Sequence, residues 1–184
     1  MLVEKELKRR FTKGFIFCCN QGDLWADATP DKVIEDILTV VWDSPNATFL
    51  MLTKNPRRYL DFMHIMPPNV VLGVTIETDR YPVSDKPYSL APDPIARAVS
   101  MDLLKRTHPN VKTIVCIEPI MDFDLPILAR LLMMIQPVYC YLGYDNHSHH
   151  LPEPSLEKTQ KLIGILKGFT EVRTKTLREK WDAS

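Results

Sequence analysis

The sequence predicts an α/β fold, a partial TIM-like (β/α)6 barrel with mostly parallel strands. Six short runs are apolar at consecutive positions, which is typical of parallel strands covered on both faces. Segments of helical periodicity alternate with these runs, and repeated β-α-β units are the simplest topology for that alternation. A doubly wound open sheet fits the same alternation, but its usual nucleotide site requires a glycine-rich loop that this sequence lacks.

The first half of the chain supplies three predicted strands and two predicted helices. The helices start where proline follows a capping side chain, at Thr29-Pro30 and Asn55-Pro56, because the first helical amides lack partners within the helix. In chain order the elements are strand 14–19, helix 31–43, strand 48–53, helix 55–64 and strand 69–76. Residues 78–92 contain Pro82, Pro87 and Pro92 and indicate a long loop, which is a candidate lid.

The second half of the chain continues the same alternation. Helix 125–135 carries Leu128, Leu131, Leu132 and Ile135 on one stripe, which predicts that this stripe packs on the sheet. In chain order the elements are helix 93–107, strand 112–117, helix 125–135, strand 137–142, helix 155–167 and strand 171–174.

Length, charge and hydropathy narrow the class of protein. The 184 residues suit one globular domain, and 23 basic residues balance 23 acidic ones, so no overall charge attracts nucleic acid or anionic lipid. No apolar run reaches the roughly 18 residues that a membrane helix needs. We therefore expect a cytoplasmic protein with a single domain over residues 1–184, in which residues 1–13 form a basic amphipathic helix and residues 14–184 the partial barrel.

Polar side chains follow the apolar strands, where a parallel barrel has its ligand site. Asp23, Lys54, Glu77, Glu118 and Asp145 each come shortly after a predicted strand and are the candidate ligand-binding residues. Glu77 and Glu118 follow their strands directly, where a carboxylate can lie half buried and face the barrel axis. The alternative is that Lys54 and the carboxylates form salt bridges that only support the barrel mouth.

The segment 145–150 contains three histidines and is a weaker candidate for chemistry. His147 and His149 are the candidate metal ligands, because imidazole binds zinc and iron. Three histidines within four residues cannot readily meet one ion from a single loop. The alternative is therefore a polar loop that contacts substrate.

The four cysteines are expected to be free thiols, since each lies within or beside an apolar strand. Cys18 and Cys19 end the first strand, just before the exit residue Asn20, and a neighbouring base could make one of them a nucleophile. Only one of two adjacent residues in an extended strand can face the barrel axis. Cys116 and Cys140 lie inside strands and are expected in the core.

Basic residues concentrate near both ends of the chain. In a closed barrel the first and last strands are neighbours, so the two groups could form one patch for phosphate or nucleic acid. Glutamates interleave with both groups, and the alternative is two solvated faces. The basic residues are Lys5, Lys8, Arg9, Arg10 and Lys13, and then Arg173, Lys175, Arg178 and Lys180.

Five segments are distinctive when they are taken together and in order: FIFCCNQGDLWAD, TFLMLTKNPRRYLDF, PPNVVLGVTIETDR, CIEPIMDFD and YLGYDNHSHHLPEPS. In this order the chain resembles a group of phage-associated and prokaryotic radical S-adenosylmethionine-like proteins of unknown function. The resemblance covers about the whole chain after residue 14. It implies a partial (β/α)6 barrel with an S-adenosylmethionine site across the strand ends, lined by Asp23, Lys54, Glu77 and Glu118.

The resemblance also implies a [4Fe-4S] cluster, held by three cysteines of a C-x-x-x-C-x-x-C loop before the segment that matches residues 14–23. Only thirteen residues precede that segment here, and none is a cysteine. We therefore expect no [4Fe-4S] cluster in this chain and no cleavage of S-adenosylmethionine by it alone, because the cluster supplies the electron for that chemistry.

Two classes of function remain open at this stage. The chain is either a radical S-adenosylmethionine-like barrel of unknown substrate, completed by a cluster-bearing partner chain, or a non-catalytic binding or interaction protein on a degenerate barrel. An exposed edge beside residues 14–19 would favour a homodimer or a partner chain. We further expect Glu77→Ala and Glu118→Ala to preserve the fold while weakening ligand binding.

Overall fold

The computed structural model describes residues 4–19, 21–80 and 90–181, and its centre is one sheet of six parallel strands. The strands follow one another across the sheet in chain order, and the sheet curls into a half-barrel. The predicted partial (β/α)6 barrel is therefore confirmed. The strands are β1 Gly14–Cys18, β2 Ala47–Thr53, β3 Val70–Thr75, β4 Thr113–Ile117, β5 Tyr139–Leu142 and β6 Glu171–Thr174.

Within the described ranges five α-helices connect the strands, and three of them begin with a side-chain cap. Asp93, Asp124 and Ser155 each accept a hydrogen bond from a backbone N–H in the first helical turn. The predicted helix 55–64 is wrong as one continuous element, because 3₁₀ turns replace its first and last residues. The helices are α1 Asp31–Trp42, α2 Tyr59–Phe62, α3 Pro94–Thr107, α4 Leu125–Ile135 and α5 Leu156–Leu166.

The two faces of the sheet have different coverings. Alternate strand residues such as Phe49, Leu72 and Val115 share one buried cluster with helix residues, so the helices cover this outer face. The other alternate residues form a separate buried cluster without helix residues, which marks the inner face of the half-barrel. This inner cluster contains Leu50, Val71, Ile114 and Tyr139, with Tyr141 packed against it.

Gly73 lies on the inner face at the centre of the sheet, where neighbouring side chains lean over it. A Cβ atom at this position would lie 3.0 Å from Leu52 Cδ1, 3.1 Å from Ile114 Cγ1 and 3.3 Å from Leu50 Cδ1. The inner face is therefore filled by apolar side chains in the middle of the sheet. Space for a ligand has to be sought at the strand ends.

The edge strands depart from the expectation that both faces are covered. β3 and β4 are buried along their whole length, but Phe15 and Phe17 on β1 are 53% and 48% exposed. The residues of β6 are exposed or half-buried. β1 and β6 have one neighbour each within the described sheet, so they lie at its two edges and are not paired with each other. The sheet therefore does not join the two basic ends of the chain through adjacent strands.

Residues 4–13 do not form the basic amphipathic helix that the sequence predicts for residues 1–13. Glu4–Lys8 form a short 3₁₀ helix without a buried residue, because acidic and basic side chains alternate there and leave no apolar stripe. Phe11 ties this segment to the sheet: its ring packs edge-on against Phe49 at 5.4 Å, and its N–H donates to Ser44 Oγ. Residues 1–3 lie outside the described part.

The lengths and sequences of the described helices can be compared with those of membrane-spanning helices. None of them has the length and apolar character that crossing a membrane requires.

Candidate ligand site at the strand exits

Asp23 connects the loop after β1 to the end of β2. Its Oδ1 atom accepts from the Trp25 N–H at 3.0 Å, and its Oδ2 atom accepts from Thr53 Oγ1 at 2.9 Å and from the Lys54 N–H at 2.8 Å. These contacts occupy both carboxylate oxygens, so Asp23 positions the loop. The neighbouring exit residue Asn20 lies outside the described residues.

Glu77 forms a buried ion-pair network at the ends of β2 and β3. One carboxylate oxygen accepts from Arg97 Nη1 at 2.8 Å, and the other accepts from Lys54 Nζ. The side chains of Arg97 and Glu77 are only 4% and 8% exposed, whereas the Lys54 side chain is 37% exposed. Arg97 also donates to the carbonyls of Thr75 and Pro92. The network therefore fixes Glu77 and presents Lys54 to solvent.

Glu118 pairs with Lys175 at the ends of β4 and β6. Lys175 Nζ lies 2.6 Å from Glu118 Oε2, and this hydrogen bond raises the pKa of the lysine. The Lys175 side chain is about half exposed. Gly143 lies beside the pair, where a Cβ atom would be 3.2 Å from Lys175 Cβ and 3.4 Å from Glu118 Oε1. The backbone of the β5 exit therefore packs directly against this pair.

Strand alternation puts these charges on the same side of the sheet. Lys54, Glu77 and Glu118 each follow an inner-face residue by an even number of positions, and Lys175 is two positions beyond the inner-face Arg173. Parallel strands also bring their carboxyl ends to one edge. We call Lys54, Glu77, Glu118 and Lys175 the strand-exit rim. Two acids and two half-exposed lysines thus border the inner face at one end of the half-barrel.

Asp145 has a different role from the rim residues. Its buried carboxylate accepts from the His147 N–H at 2.8 Å and the His149 N–H at 2.5 Å, and the His149 ring Nδ1 lies 3.0 Å away. Burial opposes ionisation, but these hydrogen bonds outweigh it and lower the pKa of Asp145 to about 2. Asp145 thus organises its own loop, including the histidines that are the candidate metal ligands.

A buried pair near that loop was not singled out by sequence. Glu153 accepts from both Nη atoms of Arg178, at 2.8 and 2.7 Å, which is a bidentate arrangement. Arg178 also donates to the Asp145 carbonyl and stacks on the Trp181 ring at 3.9 Å. The sequence predicted Arg178 as part of a basic patch. In the structure its contacts instead hold the chain after β6 against the exit of β5.

Asp122 links the exit loops of β3 and β4 to α5. It pairs with Arg80 and, at 2.8 Å, with Lys158 Nζ. Burial opposes ionisation, but these hydrogen bonds and charges lower the pKa of Asp122. The Thr78 hydroxyl donates to the Asp122 carbonyl at 2.7 Å. Residues 81–89 of the predicted lid, including Pro82 and Pro87, lie outside the described part.

The thiols do not fit a [4Fe-4S] cluster. All four cysteines are free. Cys140 belongs to the outer-face core, whereas Cys116 pairs in register with Tyr141 on the inner face, so the two thiols point to opposite sides of the sheet. Both are buried as expected, and burial raises the pKa of each to about 12. Within the described ranges, moreover, no group of three His, Cys, Asp or Glu side chains is arranged to hold a metal ion.

A cavity of about 300 Å³ lies away from the strand-exit rim. It is lined by Met133, Gln136 and Phe169, which precede β5 and β6. It therefore lies at the amino-terminal end of the parallel strands, opposite the rim.

Comparison with known proteins identifies the family of the chain but no individual relative. A family model described as a protein of unknown function, DUF5131, matches residues 3–122, which is more than half of the chain. No curated protein and no solved structure gives a match.

Proposed function

We propose that this chain, which belongs to the DUF5131 family of proteins of unknown function, binds S-adenosylmethionine at its strand-exit rim as a radical S-adenosylmethionine-like half-barrel. The observation that carries the proposal is the charge pattern of the rim, in which Glu77 and Glu118 lie between Lys54 and Lys175 in strand order. A bare apolar mouth or a rim of one sign would not support it.

The charges of the rim complement those of the ligand. S-adenosylmethionine carries a positive ammonium and sulfonium and a negative carboxylate, so it needs anionic and cationic partners within one site. The two lysines are the rim groups that can also reach a ligand carboxylate, because each is partly exposed while the glutamate it pairs with is held within the protein. Glu118 is the better acceptor for a positive group, since Glu77 already receives two cations.

Tyr141, the inner-face aromatic side chain nearer the rim, suits the adenine ring. Tyr141 lies on the inner face, and Lys175 Nζ is 5.6 Å from the centre of its ring. Arg173 stacks over the neighbouring Tyr139 ring at 3.9 Å. Purine bases stack on aromatic and guanidinium planes. In this proposal the adenine lies on the β5–β6 side of the rim, and the methionine end lies toward β2 and β3.

Radical S-adenosylmethionine chemistry requires an iron-sulfur cluster, and the thiols of this chain are not arranged to hold one. A [4Fe-4S] cluster supplies the electron in radical S-adenosylmethionine chemistry. Cys116 and Cys140 face opposite sides of the sheet, and the other two cysteines are adjacent in sequence. We therefore assign ligand binding to this chain and the cluster to a partner chain.

Calorimetric titration with S-adenosylmethionine tests the proposal. We expect Lys54→Met and Lys175→Met each to weaken binding about tenfold or more, because each removes a charged hydrogen-bond donor. Lys32→Met is the matched control, since Lys32 pairs with Asp36 on the surface of α1 and is not a rim residue. Wild-type protein without binding, or equal affinity in all the variants, would contradict the proposal.

A second candidate function is an interaction module that binds through β1. The observation that favours it is the exposure of Phe15 and Phe17 on β1, which among the described strands has a neighbour on one side only. Unpaired strand edges with apolar side chains promote pairing with another chain. This candidate covers the homodimer and the partner chain expected from sequence, and it is compatible with ligand binding at the rim.

A further inference from the structure

Cys18 and Cys19 have an unusual arrangement for neighbouring residues at the end of a strand. In an extended chain their side chains would point to opposite faces of the sheet. Cys19 instead adopts a left-handed backbone conformation, with φ of 57°, directly after β1 ends. As a result the two Sγ atoms lie 3.6 Å apart. The backbone therefore brings both thiols to one place.

The two thiols differ in accessibility and in acidity. Cys19 is exposed and Cys18 is half-buried. The hydrogen bond between the thiols lowers the pKa of Cys19, against the opposing effects of burial and of Asp23. The same hydrogen bond, together with burial, raises the pKa of Cys18. Cys19 is thus suited to react first as a thiolate, and Cys18 to stay protonated beside it.

We propose that Cys18 and Cys19 form a reactive vicinal dithiol, a modification site that hydroperoxides oxidise to a disulfide between the two neighbouring residues. The proposal rests on the short distance between the two sulfur atoms, the exposure of Cys19 and the left-handed turn that joins them. It does not depend on S-adenosylmethionine binding.

The reaction has two balanced steps. The Cys19 thiolate attacks one oxygen of the hydroperoxide, the O–O bond breaks, and the products are the Cys19 sulfenic acid and hydroxide or alkoxide. The Cys18 sulfur then attacks the sulfenic sulfur, so the S–S bond forms as the S–O bond breaks. The Cys18 proton and the departing hydroxide leave as water. The dithiol loses two electrons, and the hydroperoxide gains them.

Adjacency makes the product easy to reduce. Neighbouring Cα atoms are about 3.8 Å apart across a trans peptide bond, whereas the Cα atoms of most disulfides are roughly 4.4 to 6.8 Å apart. Strained and exposed disulfides have more oxidising potentials and are reduced readily. The modification is therefore reversible by ordinary dithiols.

Cys116 and Cys140 provide matched controls within the same chain. Both are buried, and burial raises the pKa of both thiols. They also lie on opposite faces of the sheet. Neither is expected to react with hydroperoxide in the folded protein.

The test is mass spectrometry and thiol counting of the folded full chain after brief treatment with hydrogen peroxide. We expect wild-type protein, Cys116→Ser and Cys140→Ser to lose about two thiols and about 2 Da per chain, and dithiothreitol to reverse both changes. Peptide mapping should place the disulfide between Cys18 and Cys19. In Cys18→Ser, dimedone should instead trap a sulfenic acid at Cys19.

Independent evidence comes from phenylarsine oxide, a reagent that needs two close thiols. It should bind wild-type protein with one equivalent per chain and fail to bind Cys18→Ser or Cys19→Ser. Wild-type protein that accumulates a sulfinic acid at Cys19 without the loss of 2 Da would overturn the proposal, as would a disulfide found only between two chains. These measurements use wild-type protein first, so a variant that fails to fold does not obscure the result.

Discussion

Glu77 carries a negative charge inside the protein. Arg97 compensates this charge, with its Nη1 atom 2.8 Å from Glu77 Oε2. Removing one partner of a buried ion pair leaves the other charge uncompensated, at a cost of about 3 to 5 kcal/mol. We therefore predict that Glu77→Ala lowers the free energy of unfolding by about that amount in chemical denaturation. This replaces the expectation from sequence that Glu77→Ala preserves the fold, since that expectation did not include Arg97.

Glu157→Ala is the matched control for that measurement. Glu157 is an exposed acid that pairs with Lys161 on the surface of α5, and exposed pairs contribute little to stability. Its removal should leave the free energy of unfolding close to that of wild type. Equal, small effects of Glu77→Ala and Glu157→Ala would show that the Glu77 network is not buried.

Asp145 makes the free energy of unfolding depend on pH in the acidic range. The unfolded chain protonates this carboxyl near its ordinary pKa of 3.8, and the folded chain only near about 2. Its stabilising effect is therefore complete above about pH 4 and is lost as the pH falls toward 2. We predict that Asp145→Asn lowers the free energy of unfolding at pH 7 by about 2 kcal/mol and flattens the acid-induced loss.

Denaturant titrations at several pH values check this prediction. Asp61→Asn is the control, because Asp61 is an exposed surface acid paired with Arg57. A wild-type stability that stays constant between about pH 4 and pH 2 would argue against the role given to Asp145.

Single-residue roles could be predicted from the sequence only in part. The position of Glu77 and Glu118 directly after apolar strands indicated that they lie at the barrel mouth, and they do. The sequence did not indicate Arg97 as a partner, because an arginine on a helix is usually solvated and the pairing arises only when α3 packs near β3. The same holds for Arg178, which meets Glu153 from a segment 25 residues away.

At the scale of the elements, packing on the inner face can be tested at Gly73. A methyl group there would meet Leu52, Ile114 and Leu50 at 3.0 to 3.3 Å. We predict that Gly73→Ala lowers the free energy of unfolding by about 1 to 3 kcal/mol, which is usual for overpacking. Gly164→Ala on α5 should raise it by about 1 kcal/mol, because outside the helix backbone and the two chain neighbours no described atom lies within 4 Å of the new methyl group, and alanine favours helix.

Thermal unfolding of the two glycine variants gives this comparison directly. The two substitutions add the same methyl group, so they differ only in surroundings and backbone. A Gly73→Ala protein as stable as wild type would mean that the inner face is loosely packed.

The elements themselves were largely predictable. All six strands were found because their apolar runs reflect burial. Six of the twelve strand bounds agree with the prediction, and the other six differ by one or two residues, which is the usual uncertainty at the ends of an element. The exposure of β1 was not predictable. Phe15 and Phe17 have the same apolar character as residues in a central strand, and only the strand order of the described sheet shows that β1 is paired on one side alone.

At the scale of the whole molecule, the open edge at β1 determines which contacts other chains can make. If the edge binds a second copy, small-angle scattering should show a concentration-dependent dimer of the wild-type chain. We predict that Phe15→Lys and Phe17→Lys each abolish it, because a charge on an edge strand prevents strand pairing. Ile127→Lys on α4 is the control, as Ile127 is an equally exposed apolar residue away from this edge. A wild-type chain that stays monomeric at all concentrations would contradict self-association through this edge.

S-adenosylmethionine binding across the strand-exit rim can be located along the chain. Amide hydrogen exchange of the whole chain, followed by mass spectrometry with and without saturating S-adenosylmethionine, tests it most directly because it locates the ligand. We predict slower exchange in peptides containing Lys54, Glu77, Glu118 and Lys175, and unchanged exchange around Gln136 at the opposite end of the strands. Protection confined to the cavity at Met133, Gln136 and Phe169, or no protection anywhere, would contradict the account.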